Sequence, residues 1–308
     1  MIETRPETRN DYSRRIGRVL AHIQERLDET LLLEELAAVA HFSPFHFHRV
    51  FRGMVGESVM QHVRRLRLER AAMRLRHTDR AIVDIAFEAG YENHESFTRA
   101  FRSAFGRPPS AFREEKGFGA RVESPASVHF SGGGAEVTFT PMGVGQEPLD
   151  VSVRRLDPER VAFMRHVGPF EEVGETWERL MEWAGTEGLL GPRTRFFGAC
   201  YDDPEVTPAD KIRYDACVTV DSEIAGDGEI GVQTITGGRF AVTLHEGPYE
   251  ALGDTYAALF GRWFAGRDHE PGDPPCLEFY LNDPDCTEPE GLLTEIWVRI
   301  RDETTPGS

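Results

Sequence analysis

The chain has no apolar run approaching the roughly 18 residues that a membrane-crossing helix requires, so no span is expected. Its opening stretch, MIETRPETRNDYSRR, is charged with no hydrophobic segment behind it, so a secretory leader is not expected and the protein is placed in the cytoplasm. Cysteine is scarce. Cys200, Cys217, Cys276 and Cys286 all lie in the second half and form no CxxC pair, a spacing that speaks against a disulfide frame or a zinc site. No metal and no cofactor is expected. Lysine is absent from Phe42 to Arg113, where 13 basic residues, every one arginine, stand against 7 acidic ones.

What is present is enough for two ordinary folded domains: 308 residues, 40% hydrophobic and 28% charged. The net charge of −17 conceals a division between the halves. Residues 1 to 120 hold 20 basic against 17 acidic side chains, and the remainder holds 15 against 35. Screening confines each patch's field to about 8–10 Å at ordinary salt, so the acidic half does not prevent the arginine-rich half from meeting a polyanion.

That first half contains a module used twice. Residues 36 to 56, LAAVAHFSPFHFHRVFRGMVG, align with residues 85 to 106, IAFEAGYENHESFTRAFRSAFG, with one residue inserted after the turn. Ala37 matches Ala86, Phe42 matches Tyr91, Phe47 matches Phe97, Arg49 matches Arg99, Phe51 matches Phe101, Arg52 matches Arg102 and Gly56 matches Gly106. Each copy reads as a short helix, a tight turn and a longer helix. Ser43 followed by Pro44 is an N-cap with a first-turn proline. Phe47, Val50, Phe51 and Met54 fall at i, i+3, i+4 and i+7, one buried stripe, which leaves Phe45, His48, Arg49 and Arg52 on another face. In the second copy Phe97, Ala100, Phe101, Ala104 and Phe105 point in, and Glu95, Thr98, Arg99 and Arg102 point out. A charged outer face is commonly only solvated. Two matched helix–turn–helix units with arginine at corresponding outward positions suit major-groove reading better, since arginine reaches guanine and His, Thr and Glu meet base edges. His46 and His48, two apart on a helix, face different directions and make a poor metal site; they read as surface residues. A long helix joins the copies over residues 58–77, carrying Arg64, Arg65, Arg67, Arg70, Arg74 and Arg76, and a helix from about Ser13 to Leu27 precedes them.

These residues resemble the AraC/XylS family of transcription regulators over residues 10 to 116, most closely in IVDIAFEAGYENHESFTRAFRSAFGRPPSAFR. The resemblance implies helix–turn–helix units at 33–56 and 82–106 whose second helices enter successive major grooves. By position it implies base contacts from Phe45, His48, Arg49, His94, Glu95, Thr98 and Arg99, and phosphate contacts from Ser43, Arg52, Arg64, Asn93 and Arg102. Phe45 departs from the family, where a polar residue is common.

Residues 117–148, with a Gly triplet and no helical period, read as a linker with one strand at most. Beyond them a second repeat appears. RVAFMRHVGPFEEVGETWERL, residues 160 to 180, aligns without gaps to RFAVTLHEGPYEALGDTYAAL, residues 239 to 259. Each copy reads as strand, Gly-Pro turn and amphipathic helix, followed by strands such as RTRFFGACYDD, RYDACVTV, CLEFYLND and LLTEIWVRI. The expected fold class is therefore multi-domain: an all-α double helix–turn–helix, then an α+β, pseudo-duplicated antiparallel-sheet domain with a cleft. In LLTEIWVRI, Glu295, Trp297 and Arg299 share one side of a strand and Ile296, Val298 and Ile300 the other. A carboxylate beside an indole suits a cationic amphipathic ligand, and equally suits a solvated strand face. Tyr201, Tyr256, Trp177, Tyr280 and Glu278 leave the same alternatives, while His166 and His245 read as satisfied strand residues with no nucleophile beside them.

This half, residues 149–303, resembles the GyrI-like effector-binding domain. The resemblance implies a cleft between the halves that takes a small, often cationic or lipophilic, effector against a glutamate matched here by Glu295, with Trp297, Tyr201, Trp177, Tyr256 and Tyr280 around it. The expected whole is a regulator, not an enzyme, with double-stranded DNA, a small effector and RNA polymerase as partners and no membrane. The rival expectations for the second half are a hydrolase using Glu295 and a protein-interaction module.

Overall fold

The computed structural model describes residues 6–115, 121–132, 137, 139–142, 149–220 and 224–302, with side chains from residue 11 onward. They form two compact units, Met1–Gln146 and Glu147–Ser308.

The first unit is helical: α1 (Pro6–Glu25), α2 (Leu33–Ala40), α3 (Pro44–Val55), α4 (Val59–His77), α5 (Ile82–Glu88), α6 (His94–Phe105) and α7 (Pro109–Glu114). The two turns between short and long helices close in the same way. Phe42 N–H donates to Ala37 O at 3.0 Å and Tyr91 N–H to Ala86 O at 3.1 Å, which satisfies the last carbonyls of α2 and α5. Gly56 and Gly106 end α3 and α6 in the left-handed region, at φ 80° and 74°. α4 begins on a reciprocal cap in which Gln61 N–H donates to Ser58 Oγ and Ser58 N–H to Gln61 Oε1. The first copy's stripe is fully buried at Phe47, Val50 and Phe51, and the second copy's at Phe97 and Phe101, with Ala100, Ala104 and Phe105 half-buried. Burying each such side chain contributes about 1.5–3 kcal/mol, which is why the periodic stripe decides which helix face turns inward.

The segment read as a linker is, where described, part of this unit. Glu69 on α4 is 2% exposed. Its Oε1 accepts from Val122 N–H and lies 3.0 Å from His129 Nδ1, while its Oε2 accepts from Phe130 N–H at 2.8 Å. Gln24 on α1 holds the same stretch through His129 O and Ser131 N–H, Ala126 and Val128 are buried, and Met142 N–H donates to Met54 O at 2.8 Å. A buried carboxylate collecting two backbone donors is a strong anchor, and nothing in the local composition of 117–148 announces it.

The second unit is one antiparallel eight-stranded sheet with helices. Its strands are β1 (Ser152–Leu156), β2 (Glu159–Val167), β3 (Phe196–Cys200), β4 (Arg213–Thr219), β5 (Ile230–Ile235), β6 (Gly238–Glu246), β7 (Cys276–Tyr280) and β8 (Leu293–Arg299), with α8 (Val173–Thr186) after β2 and α9 (Leu252–Ala258) after β6. The order β1-β6-β8-β7-β3-β4-β2-β5 reads as two related halves meeting at β7 and β3, with the outer strands exchanged. β1 precedes the first half yet pairs with β6, and β5 precedes the second yet pairs with β2. The expected fold class is the one found; the two outermost strands are the additions. β1 is exposed at four of its five positions and so carries no alternation to read.

The sheet curls. Leu156 of β1 and Ile235 of β5, at opposite edges, join one buried cluster with Phe197, Phe240, Leu277, Phe279 and Trp297. This concave face is an apolar core. The other, convex face carries α8, with Ala162, Met164, Tyr214, Ala216 and Val218 packed against Leu180 and Ala184.

Candidate nucleic-acid interface and ligand cleft

In the second helix–turn–helix copy, α6 starts on Asn93, whose side chain accepts from Ser96 N–H at 2.8 Å. Its inner face is an aromatic stack: Tyr91 on Phe97 at 5.5 Å, Phe97 on Phe101 at 5.5 Å and Phe101 on Phe105 at 4.5 Å. That stack aims the opposite face outward. Asn93, His94, Glu95, Arg99 and Arg102 are exposed and Thr98 is half-buried. No carboxylate pairs with Arg99 or Arg102 among the described residues.

The first copy is different, and corrects an expectation. His48 is 2% exposed and Arg49 6%, and His46 is buried as well. The Arg49 guanidinium lies over the Phe45 ring, 4.4 Å from its centroid. The helical period placed these side chains opposite the Phe47 stripe, and the chain has closed over that side too. Ser43 is exposed and caps α3, accepting from His46 N–H at 3.4 Å, and Arg52 is half-buried.

Most arginines of α4 are structural. Arg65 binds Glu57 and Glu69, Arg67 donates to Leu27 O and Glu29 O, Arg70 donates to Glu88 O and pairs with Asp28, and Arg74 pairs with Glu88. Arg76 covers Phe112 at 4.1 Å. Arg64 is exposed, its Nε donating to Tyr91 OH at 3.2 Å, which puts it beside the second copy's turn.

The six side chains expected to surround an effector do not meet. Strand register puts Glu295 opposite Phe279 and Trp297 opposite Leu277, on the concave face. Tyr201 joins that side, donating to Asp215 at 2.9 Å. Trp177, Tyr256 and Tyr280 lie on the convex face. The cation site read from Glu295 and Trp297 exists, and the chain fills it: Arg154 of β1 donates to Glu295 Oε1 at 2.7 Å and lies 5.7 Å from the Trp297 ring centroid, while Trp297 Nε1 donates to Glu295 Oε2 at 3.0 Å. Asp215, at the matching place in the first half, is 0% exposed and holds Arg165 through two bonds of 2.7 and 2.8 Å.

On the convex face the carboxylate is Glu278, 7% exposed. Tyr256 OH donates to its Oε1 at 2.9 Å and Tyr280 OH to its Oε2 at 3.1 Å. Tyr280 OH meets Tyr214 OH at 2.8 Å, and Tyr214 OH accepts from Trp177 Nε1 at 3.0 Å. Burial pushes the Tyr214 and Tyr280 hydroxyls well above the usual phenol range, which keeps them protonated as donors. Tyr280 is also edge-on to Trp177 at 5.7 Å and to exposed Tyr249 at 5.5 Å. Tyr249 lines a surface groove of about 580 Å³ whose rim carries Glu250, Asp285 and Glu288. Glu69, Asp215 and Glu295 each have an arginine; Glu278, among the described residues, has only neutral donors. An ionised buried carboxylate without a cation is costly, so the arrangement is complementary to a positive charge from elsewhere.

His166 and His245 are braces. Each lies within hydrogen-bond distance of the proline carbonyl three residues on, at 2.9 and 3.2 Å, and of a helix threonine, Thr176 or Thr255. They fasten the two Gly-Pro turns to the sheet.

Comparison with known proteins agrees with both units. A model described as a GyrI-like small molecule binding domain matches residues 149–301, and one described as a helix-turn-helix domain matches residues 36–115. The chain is similar to the HTH-type transcriptional regulator YbfP of Bacillus subtilis, 39% identical over 102 residues that make 33% of this chain and 35% of YbfP. It is similar to the regulatory protein SoxS of Escherichia coli, 36% identical over 95 residues, 31% of this chain and 89% of SoxS. The solved C-terminal domain of EcmrR is 18% identical with a TM-score of 0.41, covering 49% of this chain and 97% of that one. The chain spans about a third of the length of the first curated relatives it matches. Among the described residues no helix is long and apolar enough to cross a membrane.

Proposed function

We propose, on the premise that this chain belongs to the AraC family of transcription regulators and carries a GyrI-like small molecule binding domain, that it binds double-stranded DNA and changes transcription by RNA polymerase when a small cationic molecule enters its sheet unit. In this reading α6 is the principal reading helix. His94, Glu95, Thr98 and Arg99 meet base edges, while Arg102, Arg64 and the N-terminus of α6 capped by Asn93 meet phosphates. The first copy's Phe45, His48 and Arg49 join only when Arg49 leaves the Phe45 ring, so a closed and an open form of α3 are the two states a ligand can bias.

The observation that carries the ligand reading is the buried Glu278, held by tyrosines and, among the described residues, by no cation. Trp177, Tyr214, Tyr256 and Tyr280 supply flat apolar faces around it, and cation–π attraction adds about 0.5–2 kcal/mol to a charge placed there. The acidic groove lined by Tyr249, whose ring meets Tyr280, adds a negative field beside the cluster. Glu295, already neutralised by Arg154, is assigned a structural role. Calorimetry of the full chain with an aromatic monocation such as N-methyl-4-phenylpyridinium tests this: binding lost in Glu278→Gln and retained in Glu295→Gln is expected. Glu278-dependent cleavage of an ester-bearing aromatic cation, a probe with a bond to hydrolyse, would replace sensing by hydrolysis.

A further inference from the structure

The two halves of the sheet unit are related closely enough that their differences on the convex face can be read position by position. β3 and β7 pair so that Gly198 stands directly opposite Glu278, and the two residues occupy equivalent places in their repeats. One strand on, β4 and β8 place Tyr214 where the other half has Thr294, and the helices place Trp177 where the other half has Tyr256. A symmetric cleft would therefore hold two carboxylates facing each other across one register pair, about 5 Å apart at their Cβ atoms.

The chain holds one, and the second place is closed. A Cβ added to Gly198 would lie 2.4 Å from both Cε2 and Oη of Tyr214 and 2.6 Å from Cζ, so the Tyr214 ring rests on the bare backbone of Gly198. Lying there, Tyr214 puts its hydroxyl between Trp177 Nε1 and Tyr280 OH, and so completes the chain of donors that ends on Glu278. Thr294, fully buried in the equivalent place, has a hydroxyl with no partner among the described residues and extends no such chain.

We propose that Gly198 and Tyr214 are specificity-determining residues that make the cleft a receptor for one cationic centre attached to a flat apolar body, and that they exclude dications. This rests on the reading of Glu278 as the ligand's carboxylate. One charge is matched by Glu278. A second charge at the other end of the ligand meets the Tyr214 ring that covers Gly198, where the register partner of Glu278 supplies no carboxylate, and it keeps most of its desolvation penalty.

A matched pair of probes tests this on the full chain: N-methyl-4-phenylpyridinium, a monocation, and N,N′-dimethyl-4,4′-bipyridinium, nearly the same in shape and doubly charged. Binding is followed by calorimetry and by quenching of tryptophan fluorescence. Wild type is expected to prefer the monocation by at least about tenfold. In the double variant Gly198→Glu with Tyr214→Thr, which rebuilds the second half's pattern in the first, the preference is expected to shift toward the dication by about tenfold or more. The wild-type ratio stands by itself should the double variant fail to fold, and equal or tighter binding of the dication by wild type overturns the proposal. So does a folded double variant with the wild-type preference. If neither probe binds wild type, or if Glu278→Gln binds both as well as wild type does, the assignment of Glu278 itself fails and this inference falls with it.

Discussion

Each unit of this protein is built twice, and in each the two copies diverge away from their shared apolar stripes and turns. In the helical unit α3 and α6 share their caps, their Gly C-termini and their buried phenylalanines. Their outer faces part: Arg49 lies under cover against Phe45, and Arg99 stands in solvent. In the sheet unit the copies share the His and Gly-Pro braces, yet one presents Glu278 and the other Gly198. The sheet's two faces part in the same manner. Glu295 on the concave side has an arginine from the chain itself, and Glu278 on the convex side has none among the described residues. Packing tolerates little change in a core, so duplication preserves stripes and turns while outer positions drift toward separate tasks.

The largest expected effect tests the two glutamates. Glu278→Gln should weaken binding of an aromatic monocation by about 100-fold or more, because removing one partner of a buried charge pair costs about 3–5 kcal/mol. Glu295→Gln should change the same affinity by less than about twofold. Equal losses in calorimetry would erase the distinction between the faces.

Next comes the pair of reading helices. Arg99→Ala should cost about 1–3 kcal/mol in binding to a cognate site and relax discrimination against random DNA. Arg49→Ala should cost under about 0.5 kcal/mol in DNA binding and instead lower stability, by about 0.5–2 kcal/mol, through the lost contact with Phe45. Gel-shift titrations at fixed salt, with melting curves beside them, separate the outcomes; similar DNA defects would mean that both copies read equally. A smaller effect divides the caps. Asn93→Ala should destabilise by about 1 kcal/mol, and Ser43→Ala by less, because its bond is longer at 3.4 Å against 2.8 Å.

The smallest effect concerns pH. Burial depresses the His62 imidazole below its usual value of 6.5, against the pull of Glu57. A histidine whose folded pKa is lowered binds its proton more readily when unfolded, so stability is complete above pH 6.5 and declines as pH falls below it. His62→Gln should flatten that part of the stability profile, measured by urea midpoints between pH 7 and the folded value. An unchanged slope would assign the pH response to other groups.

Much of this was legible in the residues alone. Both duplications, the helix stripes and the Ser43 cap follow from rules spanning only a few residues. Two differences between the expected and the observed surroundings of the candidate side chains have one origin. Glu295 and Trp297 were expected to face an effector or solvent, and they face a cation of the chain itself: Arg154 lies 141 residues earlier on a strand with no alternating signal. His48 and Arg49 sat on the helix face opposite the phenylalanines, and no periodicity reports what else folds against it. Glu278 and Glu295 looked alike because each lies in an alternating strand near aromatics, and alternation says which residues share a face without saying which face lies beneath the helices.

The sequence by itself determined the repeats, the helix and central strand pattern, and which side chains line up on each element, because the periods of helix and strand are set by backbone geometry. Only the tertiary structure decided that Arg154 reaches Glu295, that Glu69 grips the stretch from Val122 to Phe130, and that Glu278 is held by tyrosine hydroxyls. Those outcomes depend on distant segments meeting, and the free energy that brings them together comes from burial of the whole core, which no local spacing records.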